Sequence, residues 1–519
     1  MQALPPPLRL LHDGLLASAA RLPDKVAVVV EGKPYTYAQL LDGAARMANA
    51  MQARGVQRGD RVAIFMENSW SCIVSIYAAL VAGSVFFVIN PQTKSDKLQY
   101  ILDDSGAKLL LADGQLAPAF MPALAKLPGT VNVICTGEMP TGCHIDSFNT
   151  LLESASPAVT RCVGISLDMA ALIYTSGSTG NPKGVMQTHQ SMLFAAGSLI
   201  ECLRLDENQR IFCVLPLAFN YGLYQLLMAV QLGATLVLER SFAYPAQIFA
   251  RMHEYRVTVF PGVPTIFALL LSAHARSPLC FPSITRVTNT AAALPDNFVP
   301  RLREIFPNAL LFKMYGLTEC KRVSYLEPEL VDAKPGSVGK AIPGTEVFLL
   351  SPDGQDVPPG EIGILHVRGA HVMLGYWKRP DLSADMLKPG KLPGERVLCT
   401  QDFFRMDTDG FLYFVGRSDD IIKTRGEKVS PVEVENVLHG IAGIQEAAVV
   451  GVPDEMLGQA IRAYVVVAPG FDLSHKQIRA ACQMRLESFM VPREVITLSA
   501  LPKTSTGKVS KKMLLEQHT

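Results

Sequence analysis

The chain has 519 residues, 49% of them hydrophobic, with 48 Lys plus Arg against 47 Asp plus Glu. That length exceeds what a single hydrophobic core usually organises, so two or more domains are expected. A formal charge of +1 provides no bulk field that would draw nucleic acid or an acidic lipid surface, and neither is expected as a partner.

In chain order, the opening "MQALPPPLRLLHDGLL" sets Arg9 and Asp13 among its apolar residues and three prolines ahead of them, which makes no signal-peptide core. Residues 70–89, "WSCIVSIYAALVAGSVFFVI", run without a charge and have the length of a membrane span. Gly83 divides them into an Ala- and Leu-rich helical part and a β-rich run closed by Asn90-Pro91. A buried helix feeding a buried parallel strand is therefore expected, and no membrane span. Short apolar runs recur at helical spacing: "RVAIFM" (61–66), "AKLLLA" (107–112), "RIFCVLP" (210–216), "ATLVLE" (234–239) and "VTVFPGVP" (257–264). This rhythm predicts α/β layers with largely parallel sheets.

Among these runs lies "AALIYTSGSTGNPKGV" (170–185), a β-like run passing into Gly, Ser and Thr. Their backbone N–H groups and hydroxyls can surround phosphate oxygens, and Lys183 adds a cation. Pro182 stands where a Walker loop needs the glycine of Gly-Lys-Ser/Thr, so a kinase-type phosphate loop is not indicated. A flexible Gly/Ser linker is the alternative reading. After about residue 340, strands separated by Asp-Gly and Pro-Gly turns predict a β-rich subdomain over about 340–418. The polar stretch "GRSDDIIKTRGEKVSP" (416–431) follows, then a helix at "PVEVENVLHGI" and strands at "EAAVVGVP" and "IRAYVVVAP". They predict a small α+β domain over 419–519 beyond a large domain over 1–418. Ten cysteines are scattered without close pairs or nearby histidines, which argues against zinc or redox sites and for buried free thiols in a reducing cytoplasm. The closing "EQHT" carries no lipidation or address signal.

The loop "YTSGSTGNPKGV" resembles the signature loop of the adenylate-forming superfamily, which contains acyl-CoA and aryl-CoA ligases, peptide-synthetase adenylation domains and luciferases. The resemblance continues through "MYGLTE" (314–319), "QDFFRMDTDGFLYFVGRSDDIIKTRGEKVSPVEVE" (401–435) and "PKTSTGKVSKK" (502–512), nearly the whole chain. It implies a two-step reaction in which a carboxylate attacks the α-phosphate of ATP, releasing pyrophosphate, and a thiol then takes the acyl group. An attacking carboxylate and a triphosphate repel, so such a site needs cations and N–H donors where charge builds up.

By this resemblance Lys508 is the catalytic lysine, bridging carboxylate and α-phosphate. On its own it reads as one solvated lysine beside Lys503, Lys511 and Lys512. Glu319 matches the carboxylate that supports Mg²⁺, and Thr318 and Thr175 would contact phosphate oxygens. Ser176, Gly177, Ser178, Thr179, Gly180 and Lys183 make up the rest of the phosphate loop. Tyr315 and Gly316 would lie at adenine, with Thr290, Ala291 and Ala292 as the other wall. Asp402 corresponds to the ribose-binding carboxylate and Arg417 to a second nucleotide contact; Gln401 replaces the glycine usual before that aspartate. Asp419 matches the hinge about which the small domain swings, and Gly426 the point where the pantetheine arm passes. An ordinary interdomain linker is the plainer reading of that polar strip.

"PLAFNYGLYQ" (216–225) aligns with the segment lining the acyl pocket, giving Phe219, Asn220, Tyr221 and Gly222. Amino-acid-activating relatives place an aspartate where this chain has Asn220, and a neutral amide pairs poorly with an ammonium. The "FNY" of this chain resembles the "HNY" of aryl-acid-activating members, so an aryl or hydroxyaryl acid is favoured. A fatty acid, an amino acid such as proline, a non-thiol acceptor and a non-catalytic relative stand as alternatives. The implied cofactors are ATP and Mg²⁺, and the acceptor is CoA or the phosphopantetheine of an acyl carrier protein.

Overall fold

Six of the apolar runs line up as the parallel centre of one sheet, in the order Val26–Val30, Thr235–Leu238, Arg210–Cys213, Val259–Gly262, Arg286–Asn289 and Leu310–Tyr315. The computed structural model describes residues 8–517 except 139, 141–144, 160–163, 176–180, 291, 418–419, 425–426, 455 and 505–507. The central strands are covered on both faces, which is why they read as continuous apolar runs rather than as alternations. The expected β-rich region is not set apart as a sheet of its own. Through Ser324–Leu326 and Ser337–Ala341 the sheet turns antiparallel and continues into Leu412–Arg417, Arg396–Met406, Ile362–Arg368 and Glu346–Leu350. Tight turns make hairpins with open edges, and the edge strand here is paired rather than left bare.

A second sheet carries Val85–Val88, Arg61–Phe65, Leu109–Asp113 and Asn132–Thr136 in parallel, with Met169–Thr175 joining Val85–Val88. The two sheets share one core, into which the helices Tyr37–Ala53, Trp70–Val81, His189–Cys202 and Asn220–Leu232 are packed. This placement accounts for the uncharged stretch 70–89. The helix Trp70–Val81, N-capped by Ser69, is buried nearly all round, as a helix enclosed by two sheets must be, and it feeds the strand Val85–Val88 as expected. No helix among the described residues is long and apolar enough to cross a membrane.

The third sheet forms a C-terminal domain, with Ile444–Asp454 and Gly458–Val467 as its long antiparallel pair. One face packs on the helices Pro431–His439 and His475–Gln483, the other on Leu514 of the helix Lys511–Gln517. The polar stretch 416–431 is more structured than its composition suggests. It contains the hairpin strands Ile422–Thr424 and Glu427–Val429, which bury Ile422 and Val429. Three-residue strands are too short to display an alternation. Among the described cysteines Cys280 is exposed, a correction to the expectation of buried thiols; the others are buried. Burial pushes the Cys72 and Cys213 thiols up to about 12, so neither is a nucleophile.

Candidate active site

Parallel strands of the first sheet end side by side at Cys213, Gly262, Asn289 and Tyr315. The residues beyond those ends, Phe219 to Gly222, Thr290 and Gly316 to Glu319, therefore share the carboxyl edge of the sheet, where open α/β sheets place their ligands. Tyr315 ends its strand with the ring edge-on to Phe404 at 4.7 Å and against Phe414 at 6.1 Å. Its hydroxyl donates to Asp402 Oδ2 at 2.5 Å. Asp402 lies opposite Arg417 on the neighbouring strand, with Arg417 Nε 3.5 Å from Oδ1. At 3% exposure the Asp402 carboxyl is pushed by burial above the usual aspartate range; Arg417, the Tyr315 hydroxyl and Lys508 pull it back, while Glu319 adds to the rise. Gln401, in the place of the glycine, adopts φ +59°, the left-handed conformation that glycine would accept without cost.

Thr175 and Lys183 face each other across the hairpin formed by Met169–Thr175 and Lys183–Thr188, so the phosphate-loop expectation falls on a hairpin tip. Lys183 Nζ sits 4.8 Å from the Tyr376 ring centroid, and the Tyr376 hydroxyl donates to Glu319 Oε1 at 2.6 Å. Tyr376 thus joins the lysine of one motif to the carboxylate of another. The sequence reading missed it, because a tyrosine within "GYWKRPD" has no spacing that marks it. The Thr318 backbone carbonyl accepts from Gln187 Nε2 at 3.1 Å, and Gln187 is held by Ser191. Glu319 and Thr318 are fixed in place by the second sheet.

Lys508 is singled out by its surroundings. Lys503 pairs with Glu446 at 2.9 Å, Lys511 with Glu435 at 3.0 Å and Lys512 with Glu516 at 3.8 Å, all within the C-terminal domain. Lys508 instead lies where Asp402, Glu319 and Arg417 of the large body act on its charge. One face stays open to solvent. Even so, the surrounding protein desolvates the ammonium and, with Arg417, holds it below the usual lysine range, against the pull of Asp402 and Glu319.

The acyl-pocket segment opens the helix Asn220–Leu232, with Phe219 at its N-cap. Tyr221 donates to the Thr288 carbonyl at 2.8 Å, tying helix to strand end. Gly222 serves packing: a Cβ there would stand 2.4 Å from the Pro216 carbonyl oxygen. Thr290 is buried with its hydroxyl accepting from Arg322, and the exposed Ala292 has its carbonyl held by Asn289 at 3.1 Å. Lys321 and Arg322, also missed, are both buried beside these residues. Ser176, Gly177, Ser178, Thr179, Gly180, Ala291, Asp419 and Gly426 lie outside the described residues. Among the described residues no group of three or more His, Cys, Asp or Glu could cage a metal. A lone carboxylate such as Glu319 does suit Mg²⁺ that takes its other ligands from phosphate and water.

The AMP-binding enzyme model matches residues 15–377, and the AMP-binding enzyme C-terminal domain model matches residues 433–508. The chain belongs to the AMP-binding enzyme family. A long-chain-fatty-acid–CoA ligase of Bacillus subtilis is 31% identical over 99% of this chain and 96% of its own length. A feruloyl-CoA synthase of an Amycolatopsis species is 33% identical over 94% and 95%. The crystal structure of the anthranilate CoA ligase AuaEII with anthranoyl-AMP superimposes with a TM-score of 0.92, at 28% identity, covering 99% of this chain and 98% of that one.

Proposed function

We propose that this AMP-binding enzyme is an ATP-dependent ligase that joins an aryl or hydroxyaryl acid to a pantetheine thiol, with CoA as the acceptor its relatives favour. AMP-forming acid–CoA ligation is the activity class common to the relatives. The acid oxygen bonds to the α-phosphorus as the bond to pyrophosphate breaks. The thiol sulfur then bonds to the acyl carbon and AMP departs. Asp402 would accept the ribose hydroxyls, with Tyr315 against adenine and Arg417 beside the nucleotide. Glu319 would hold Mg²⁺, which supplies charge neutralisation when bound, and Thr175, Thr318 and Lys183 would meet phosphate oxygens.

The observation that carries this reading is Lys508. Of four lysines in its motif, the other three are neutralised within the C-terminal domain, and this one is turned toward Asp402 and Glu319. A cation brought by one body to the carboxylates of another is what in-line attack by one anion on a second anion requires. The aryl preference is supported by the neutral Asn220 and by Tyr221 and Tyr224 on the same helix. An amino-acid substrate is disfavoured, because its ammonium would approach the buried Lys321 and Arg322. A carrier-protein acceptor presents the same thiol and is separated by assay. Pyrophosphate release is to be measured across benzoates, fatty acids and amino acids, with and without CoA. Release driven best by benzoates and completed only with CoA is expected; release driven best by amino acids would reverse the substrate assignment.

A further inference from the structure

Two adjacent cations, Lys321 at 6% exposure and Arg322 at 2%, lie inside the protein directly after the Glu319 motif. Lys321 Nζ donates to the Asn220 carbonyl at 2.9 Å and sits 4.4 Å from the Tyr224 ring centroid and 5.6 Å from that of Tyr221. Arg322 donates to the Thr290 hydroxyl and lies 5.8 Å from the Tyr221 ring, and its Nε has no partner. Among the described residues no carboxylate stands within ion-pair distance of either. Lys313, another buried lysine, shows the ordinary solution, since it pairs with Asp296 at 2.6 Å. Buried cations without a counter-charge are costly, and two side by side also repel.

The chain holds the pair there at a further cost. Lys321 adopts φ +62°, a strained backbone for a lysine. Gly316 lies against this turn so closely that a Cβ would meet the Lys321 carbonyl at 2.3 Å. The cations are therefore fixed where the helix turn Asn220–Tyr224 meets the strand end at Thr290, the two segments that the family resemblance assigns to acid and nucleotide.

We propose that Lys321 and Arg322 form the far end of the acyl pocket and that the acid activated here carries a second carboxylate, which docks on them. The inference rests on the ligase reading above and narrows its substrate class. A guanidinium fork beside an ammonium matches the two oxygens of a carboxylate, and the unpartnered Arg322 Nε is one of the donors available to it. A neutral hydroxyl would leave both charges uncompensated. The test compares pyrophosphate release from matched acids: benzoate, 3-hydroxybenzoate, benzene-1,3- and 1,4-dicarboxylate, and the aliphatic pair hexanoate and adipate. Wild-type kcat/KM is expected to favour a dicarboxylate over its monocarboxylate match by about tenfold or more, the worth of one charge-assisted contact. Lys321→Met should raise KM for the dicarboxylate at least about tenfold more than for the monocarboxylate, with Lys321→Arg restoring part of the preference. Preference for monocarboxylates, or a dicarboxylate preference that survives Lys321→Met, overturns the proposal. If the variant does not fold, the wild-type comparison decides alone. Pyrophosphate release from monocarboxylates only would sink this inference and leave the ligase reading standing, whereas no release from any acid would remove both.

Discussion

Replacing Tyr315 with phenylalanine removes one hydroxyl and little else, because the ring keeps its packing against Phe404 and Phe414. The lost bond runs to Asp402, a carboxylate at 3% exposure. A hydrogen bond to a charged acceptor contributes about 1.5–3 kcal/mol. Arg417 cannot take over, since its Nε is 3.5 Å away on a side chain 62% exposed, where solvent screening leaves about 0–1 kcal/mol. The hydroxyl favours the ionised carboxyl, whose folded pKa burial already raises; removing it raises that pKa further. At a given acidic pH more Asp402 is then protonated and unable to accept two ribose hydroxyls. On the acid limb, kcat/KM for ATP should fall about tenfold, equivalent to ~1.4 kcal/mol, and the limb should move to higher pH. Stability follows the same sign. A carboxyl whose folded pKa lies above its unfolded value gives a folded state that holds more protons, so stability declines as pH rises through that window, and Tyr315→Phe should be most destabilising above it. The assay is pyrophosphate release against pH at varied ATP. An unmoved acid limb accompanied by a uniform loss at every pH would refute the account, because Tyr315 would then act through packing and not through the charge of Asp402.

Lys508→Ala should lower acid-dependent pyrophosphate release by about a hundredfold or more, while thioester formation from supplied acyl-adenylate stays within about tenfold of wild type; equal losses in both would show that the lysine does not belong to the first step. Gln401→Gly, measured by thermal melting, should be neutral or stabilising, since relief of about 1 kcal/mol at φ +59° is offset by the flexibility of glycine in the unfolded chain. Gln401→Val should be the least stable of the three, and a large loss with glycine would mean the left-handed conformation is wrong. Asn297 donates to the His439 carbonyl at 2.7 Å across the two bodies. A short thiol crosslinker between Asn297→Cys and His439→Cys, with the exposed Cys280 changed to Ser, should leave pyrophosphate release intact and suppress thioester formation. Unimpaired thioester formation would mean that no swing is needed.

The layers were legible because parallel strands covered on both faces must be apolar throughout, and each such run from "RVAIFM" to "VTVFPGVP" forms its strand. The long uncharged stretch resolved into helix and strand for a local reason, the break at Gly83. The joining of the β-rich region to the main sheet was not legible, since edge pairing depends on which strands meet in space and leaves no periodicity behind. The same holds within the site. Asp402, Tyr315 and Glu319 stood out through their motifs, but Tyr376 and the Lys321–Arg322 pair did not. In a sequence, "ECKRVS" reads as a solvated basic turn, and only the helix turn at Asn220 and the strand end at Thr290 reveal that it is enclosed.

The arrangement of the C-terminal domain explains how one small unit can serve two chemical steps. Its sheet is covered by its own helices on both faces, so its core does not depend on where it sits. Its described links to the large body include the Asn297 bond, the edge of Phe298 on His439, and the Ser430 hydroxyl on the Val415 carbonyl. Such links contribute about 1 kcal/mol each and can be exchanged without unfolding anything. Lys508 gains from Asp402 and Glu319 an attraction opposed by desolvation and by Arg417. A lysine held by this near balance can engage while two anions must be brought together and withdraw once pyrophosphate has gone.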